Sequence, residues 1–211
     1  MARLVVFDMD GVLADAESSW VFVHKHFGVN NEHSLHAYLE GKIDDLEFIR
    51  RDIALWKEKD PAISEEKIRA VLAGVNLMPG AARTIRKLRE SNVRTAIVSA
   101  GIDLLSQRIA DDLGMDFHLA NGLKTDDSGR LSGEGVLRVK LMDKGDAVVE
   151  AMRRLDAKAA ETIAVGNSRY DISMFRKVGK GIAFRPMDDF VRENADFVVD
   201  QKELTAILDF V

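Results

Sequence analysis

Cysteine is absent from all 211 residues, so disulfides, thiolate zinc ligation and thiol nucleophiles are excluded. Covalent chemistry must run through oxygen or nitrogen. Long apolar runs are missing too: nothing approaches the roughly 20 residues of a bilayer span, and Leu4-Val5-Val6-Phe7, directly after Met1-Ala2-Arg3, is too short for a signal-peptide core. A cytoplasmic location is expected. Nor is there a positive excess, because the formal net charge is -5, which removes the field that would gather nucleic acid or an anionic membrane. The expected partner is a small molecule, and the expected state a monomer or homodimer.

With 46% hydrophobic residues, the chain can bury one substantial core and still carry a small accessory domain, since domains commonly run about 100 to 150 residues. Strand-length apolar runs alternate with helical patterns, which predicts an α/β, Rossmann-like three-layer core around a parallel sheet. The predicted strands are Leu4 to Phe7, Ala96 to Val98, Thr162 to Val165, Ile182 to Phe184 and Phe197 to Val199. Helices are predicted over Ala81 to Glu90, Leu104 to Leu113, Lys144 to Leu155, Ile172 to Val178 and Glu203 to Phe210, with Gly114 and Gly179 as C-caps.

Two stretches break the rhythm. From Ala14 to Met78 the pattern is helical throughout, with Trp20, Phe22, Trp56 and Ile68 among its apolar residues, and Pro79-Gly80 marks the return. The expected division is a core of 1–13 and 79–211 with a small helical cap, 14–78, inserted after the first strand. The second break, Leu119 to Val139, holds Asp126-Asp127-Ser128-Gly129 between two alternating arms and predicts a hairpin.

Asp8 and Asp10 follow an apolar strand at its carboxyl end, where ligands of open α/β sheets bind. If the chain turns at Gly11 the two carboxylates converge, and Mg2+ would relieve their repulsion; alternatively Asp-x-Asp-Gly is a solvated turn. Ser99, Ala100 and Gly101 close another strand ahead of a helix, as an anion site or as an ordinary cap. Lys144 opens a helix against the macrodipole, a locally unfavourable placement for a cation. Gly166-Asn167-Ser168-Arg169-Tyr170-Asp171 forms a third strand-end loop, whose Asp171 is either a helix N-cap or a metal residue.

These segments, in this order at successive strand ends, resemble the haloacid dehalogenase superfamily of phosphohydrolases, and within it the phosphoserine phosphatase branch. The resemblance spans nearly the whole chain, through Asp8-Met9-Asp10, Ser99, Lys144 and the loop ending in Asp171, with Ile97-Val98-Ser99-Ala100-Gly101 supporting the branch. It implies a Mg2+-dependent phosphomonoesterase, with Asp8 as nucleophile forming an aspartyl-phosphate and Asp10 as general acid and base. Ser99, Ala100, Gly101 and Lys144 would hold the phosphoryl oxygens, and Asp8, Asp10, Asn167 and Asp171 would serve the metal. Asn167 stands where the family usually has an acid, so metal affinity should fall, with Asp171 left to compensate. The retained second carboxylate, Asp10, argues against a dehalogenase.

For the substrate, Glu17 falls where the branch meets an amino group. The position of the branch's carboxylate-binding arginine holds Asp52, leaving the neighbours Arg50 and Arg51 as the available cations. A helix turns about 100° per residue, so neither shares that direction. The histidines His24, His26, His33 and His36 lack metal-site spacing and are expected on the surface; Trp20, Phe22 and Trp56 are expected in the cap core. The competing function is a metabolite- or phosphate-binding regulatory protein of the same fold.

Overall fold

The computed structural model describes residues 2–211; Met1, the first residue of the expected core segment, lies outside them. The chain opens with β1 (Leu4–Phe7) and then runs through α1 (Ser19–Phe27), α2 (Glu32–Leu39), α3 (Asp45–Lys59) and α4 (Glu65–Leu72). It continues with α5 (Ala81–Glu90), β2 (Arg94–Ile102), α6 (Asp103–Leu113), β3 (Phe117–Thr125) and β4 (Leu131–Val136). The last part holds α7 (Gly145–Arg154), β5 (Thr162–Gly166), α8 (Ile172–Phe175), β6 (Lys180–Phe184), α9 (Asp189–Glu193) and β7 (Phe197–Val199).

One seven-stranded sheet has the order β4-β3-β2-β1-β5-β6-β7. Every pairing is parallel except β3 with β4, the predicted hairpin, whose turn is tied by Asp126 Oδ1 accepting from Ser128 and Arg130. Strand alternation divides the core in two. Val5 and Phe7 face one apolar cluster with Ile85 of α5 and Ile109 of α6, while Leu4 and Val6 face the other with Val148 of α7 and Ile172 of α8. Helices therefore cover both faces, the expected three-layer architecture. No helix among the described residues is long and apolar enough to cross a membrane.

The insert between β1 and α5 is helical as predicted. Three of its four helices begin at side-chain caps: Ser18 accepts from Val21 N–H, Asp44 from Glu47 and Ser64 from Lys67, each satisfying an amide that the first turn leaves free. Its two ends run side by side, with Asp15 N–H donating to Asn76 and Met78 N–H donating to Leu13. The insert is packed onto the sheet, because Ile53, Trp56 and Ile68 belong to the same buried cluster as Val5 and Phe7.

Three local expectations change. The last segment, Leu204–Phe210, is a 3-10 helix: its buried Leu204 and Ile207 are three residues apart, the period that a 3-10 turn aligns. The helix after Asp171 stops at Phe175. Gly179 caps nothing; a Cβ there would stand 2.9 Å from Ala160 O, so glycine permits a close backbone approach instead. Gly114 does cap α6 in the left-handed region, at φ 65°.

Candidate active site

The sheet order reverses at β1, with β2 and β3 on one side and β5 to β7 on the other, so the crevice of the fold opens above the end of β1. Asp8 is the first residue past that strand, pinned by its N–H donating to Val165 O at 2.9 Å. Gly11, at φ 76°, then turns the chain back. A Cβ on Gly11 would lie 2.1 Å from Asn167 Nδ2, so the turn and the β5 loop meet only because residue 11 has no side chain.

Asp8 is buried at 4% exposure, and its Oδ1 lies 2.8 Å from Lys144 Nζ. Lys144 is itself 3% exposed and reaches Asp171 Oδ1 at 2.6 Å on its other side. Burial opposes the ammonium charge, but Asp171 and Asp8 together outweigh it, and the pKa of Lys144 is raised. Burial, aided by the charge of Asp171 and opposed by Lys144, pushes Asp8 up to about 7. The lysine's position at the N-terminus of α7 thus has a local cause: the two carboxylates offset what the helix dipole costs.

Asp171 differs from the expectation. Its Oδ2 accepts from Asn167 N–H, Ser168 N–H and Ser168 Oγ–H, and its Oδ1 accepts from Lys144. It is fully buried and does not line the cavity, so both its oxygens are engaged away from the space that Asp8, Asp10 and Asn167 line. The residue instead closes the Ser168 capping box and positions Lys144. Its hydrogen bonds tie it to Lys144 and the β5 loop rather than to the side chain of Asn167.

Asp10 accepts twice through Oδ2, from Ser19 N–H and Ser19 Oγ–H, both at 2.9 Å. Its pKa is raised by burial, with the two Ser19 hydrogen bonds opposing. Ser19 Oγ in turn accepts from Ile102 N–H at 3.0 Å, which ties α1 to the end of β2. Gly101 fits beneath them: a Cβ there would approach Ser19 Oγ to 2.5 Å and Asp10 Oδ2 to 2.7 Å. Ser99 is no helix cap, since α6 begins at Asp103; its Oγ accepts from Gly101 N–H, leaving the hydroxyl hydrogen to donate elsewhere.

Asp10 Oδ1 is buried without a hydrogen-bond donor, and the only cation at Asp8 Oδ1 is Lys144, a condition a hard cation between the two carboxylates relieves. Asn167, 9% exposed, lines the same space. Mg2+ commonly takes one or two carboxylates and completes its shell with water and substrate phosphate, so this donor set fits it. Among the described residues no group of three His, Cys, Asp or Glu side chains is placed to hold a metal.

These groups form the floor of a cavity of about 360 Å³ that extends beneath α1, α2 and α3. Its upper wall carries Trp20, Leu35, Phe48, Ile49, Asp45 and Asp52. A sequence profile of the haloacid dehalogenase-like hydrolases matches residues 5–176. The chain belongs to this family. It is 30% identical to the phosphoserine phosphatase of Wolinella succinogenes, over 98% of each chain. It is 28% identical to that of Methanocaldococcus jannaschii, over 99% of this chain and 97% of the relative. A solved substrate-bound phosphoserine phosphatase complex superposes at a TM-score of 0.84, with 28% identity, 100% of this chain and 99% of that one covered. A phospho-aspartyl intermediate analogue of phosphoserine phosphatase superposes at 0.82, over 100% and 99% of the two chains, again at 28% identity.

For a haloacid dehalogenase-like chain, the substrate end departs from expectation. Glu17 lines the cavity mouth, largely exposed beside Lys25. Arg50 and Arg51 do not line it: Arg50 pairs with Glu134 at 2.8 Å and Arg51 with Glu47 at 2.9 Å, as the helical rotation away from Asp52 requires. Trp20 is not simply cap core; it lines the cavity, stacks on buried Trp56 at 5.5 Å, and donates from Nε1 to Ala100 O. His24 is buried rather than superficial, accepting at Nδ1 from Trp56 Nε1–H at 2.8 Å, while His26, His33 and His36 are exposed.

Two buried residues at the site were not foreseen. Ser19 could have been suspected from the Ser18-Ser19 pair at a helix start, where only one serine can cap. Asn121 sits in β3 and bonds Ala100 O, Val139 O and the amides of Arg138 and Val139. An asparagine within an apolar strand is its sequence signal.

Proposed function

We propose that the chain is a Mg2+-dependent phosphomonoester hydrolase acting through an aspartyl-phosphate on a small phosphorylated metabolite, with 14–78 as a cap over a core of 1–13 and 79–211. The carrying observation is the juxtaposition at the floor: Asp8 buried against Lys144, and Asp10 held by Ser19 with a raised pKa. Phosphoserine is the substrate that the relatives' names would transfer.

In this reading an Asp8 carboxylate oxygen attacks phosphorus, and the bond to the alcohol oxygen breaks as Asp10 delivers its proton to that oxygen. A carboxyl whose pKa burial raises suits the acid role, and the Ser19 hydrogen bonds fix its direction. Asp10 then takes a proton from water as the water attacks the phosphoryl group, the bond to Asp8 breaks, and phosphate leaves. Lys144 and the Ser99 hydroxyl stabilise the phosphoryl oxygens, while Asp171 keeps the ammonium aimed. Mg2+, held by Asp8, Asp10 and Asn167, would supply charge neutralisation for the dianionic ester.

The test is Mg2+-dependent phosphate release from a panel of phosphomonoesters by the wild type and by Asp8→Asn. Activity that survives in Asp8→Asn, or that needs no divalent cation, overturns the proposal. One observation favours the second reading: the acid-poor metal set around Asn167. A regulatory binder would be stabilised by phosphate esters without turning any of them over.

A further inference from the structure

Within the phosphatase reading, on which this inference rests, we infer that the cavity selects a phosphomonoester whose alcohol carries a cationic amine and no carboxylate, an amino-alcohol phosphate. The charges of the wall decide it. Among the described residues Lys144 is the only lysine, arginine or histidine lining the cavity, and Asp8 and Asp171 hold its ammonium at the phosphate end, at 2.8 and 2.6 Å. The far end has carboxylates and no lysine or arginine of its own.

Asp52 lines that end while only 2% exposed. Asn31 Nδ2 donates to its Oδ1 at 3.0 Å and His24 Nε2 approaches the same oxygen at 3.4 Å, which leaves Oδ2 without a hydrogen bond. Because His24 accepts at Nδ1 from Trp56, its ring proton lies on Nε2, so the group it turns toward Asp52 is the N–H of a ring whose other nitrogen is an acceptor. Asp45 is satisfied by neutral groups, Tyr38 Oη–H and Leu141 N–H, both on Oδ1. The neighbouring cations are spent elsewhere, Arg50 on Glu134 and Arg51 on Glu47.

A buried carboxylate with a free oxygen and no lysine or arginine partner attracts an ammonium and repels a second carboxylate. The surrounding surface agrees. Trp20, stacked on Trp56, and Phe48, stacked on Tyr38 at 5.2 Å, present aromatic surface that favours a cation, and Leu35 and Ile49 suit short methylene chains.

The decisive comparison uses O-phosphoethanolamine and O-phosphoserine, which differ by one carboxylate, with ethyl phosphate lacking both charged groups. With Mg2+ at neutral pH, kcat/KM is expected to favour phosphoethanolamine by about thirtyfold over phosphoserine and about tenfold over ethyl phosphate. Asp52→Asn should shrink both ratios about tenfold. A merely structural Asp52 would lower all three substrates alike and leave the ratios fixed; that result, or a wild-type preference for phosphoserine, overturns the inference. If Asp52→Asn does not fold, the wild-type ratios decide alone. If the wild type hydrolyses none of the three esters, the wider phosphomonoester panel decides the phosphatase reading, and thermal shifts with the same three compounds decide the pocket. Greater stabilisation by phosphoethanolamine sustains the inference, and equal or greater stabilisation by phosphoserine rejects it.

Discussion

At the floor of the cavity the buried cation is bracketed by opposite charges, Lys144 between Asp8 and Asp171, whereas the wall raised by α1 to α3 holds Asp45 and Asp52 with no lysine or arginine partner. The floor is preorganised for charge that the reaction itself brings; the wall waits for charge on the substrate. Chemistry and specificity are thus built from different elements, strand ends below and helix faces above. They can be perturbed separately.

The largest effect is expected at the floor. Asp8→Asn should lower kcat by at least about a thousandfold while leaving the circular dichroism spectrum intact, because it removes the nucleophile without changing its shape. Retained turnover would place the nucleophile elsewhere. Next, Lys144→Ala leaves Asp8 and Asp171 buried without their shared cation, and chemical denaturation should register a loss of about 3 to 5 kcal/mol. A loss under about 1 kcal/mol would mean that the floor is not held by charge.

The pH dependence separates the regions further. A carboxyl whose pKa is higher in the fold than in the unfolded chain stabilises the fold while it is protonated. For Asp8 that contribution is complete below its ordinary value of 3.8 and is lost as pH rises through about 7. Asp10, also raised by burial, acts in the same sense. The melting temperature of the metal-free protein should therefore fall between pH 5 and 8, and Asp8→Asn should flatten that fall. A wild-type curve that rises over this window contradicts the reading of the floor.

Asn167→Asp restores an acid beside Asp8 and Asp10 and should lower the Mg2+ concentration for half-maximal activity about tenfold. An unchanged requirement would remove Asn167 from the metal set. The smallest effect is expected from Arg50→Ala and Arg51→Ala, whose partners lie outside the cavity: KM should move by less than about twofold, as exposed ion pairs contribute little. A tenfold rise from either would return that arginine to the pocket.

Legibility followed the same division. Asp8, Asp10 and Lys144 stood out in sequence because they come in family order at successive strand and helix edges; local pattern alone left the acidic pair open to a solvated turn and the lysine to solvent. β1 and α5 were readable to the residue because alternation and amphipathicity in them are strong. The 3-10 ending at Leu204–Phe210 was not, since residues at i and i+3 share a face in either kind of helix. Ser19, Asn121 and the cavity-facing side of Trp20 depend on contacts with residues about 10 to 80 positions away, which no local period reports.

The sequence by itself determined the alternating α/β order, the helical insert and the acidic pair that ends β1, because these rest on patterns within one element or one turn. Only the tertiary structure decided that Asp171 serves Lys144 rather than a metal, that Arg50 and Arg51 turn to Glu134 and Glu47, and that Asp52 faces the cavity without a lysine or arginine. A carboxylate's role depends on which donors reach its oxygens, and those donors arrive from elements the chain joins only by folding.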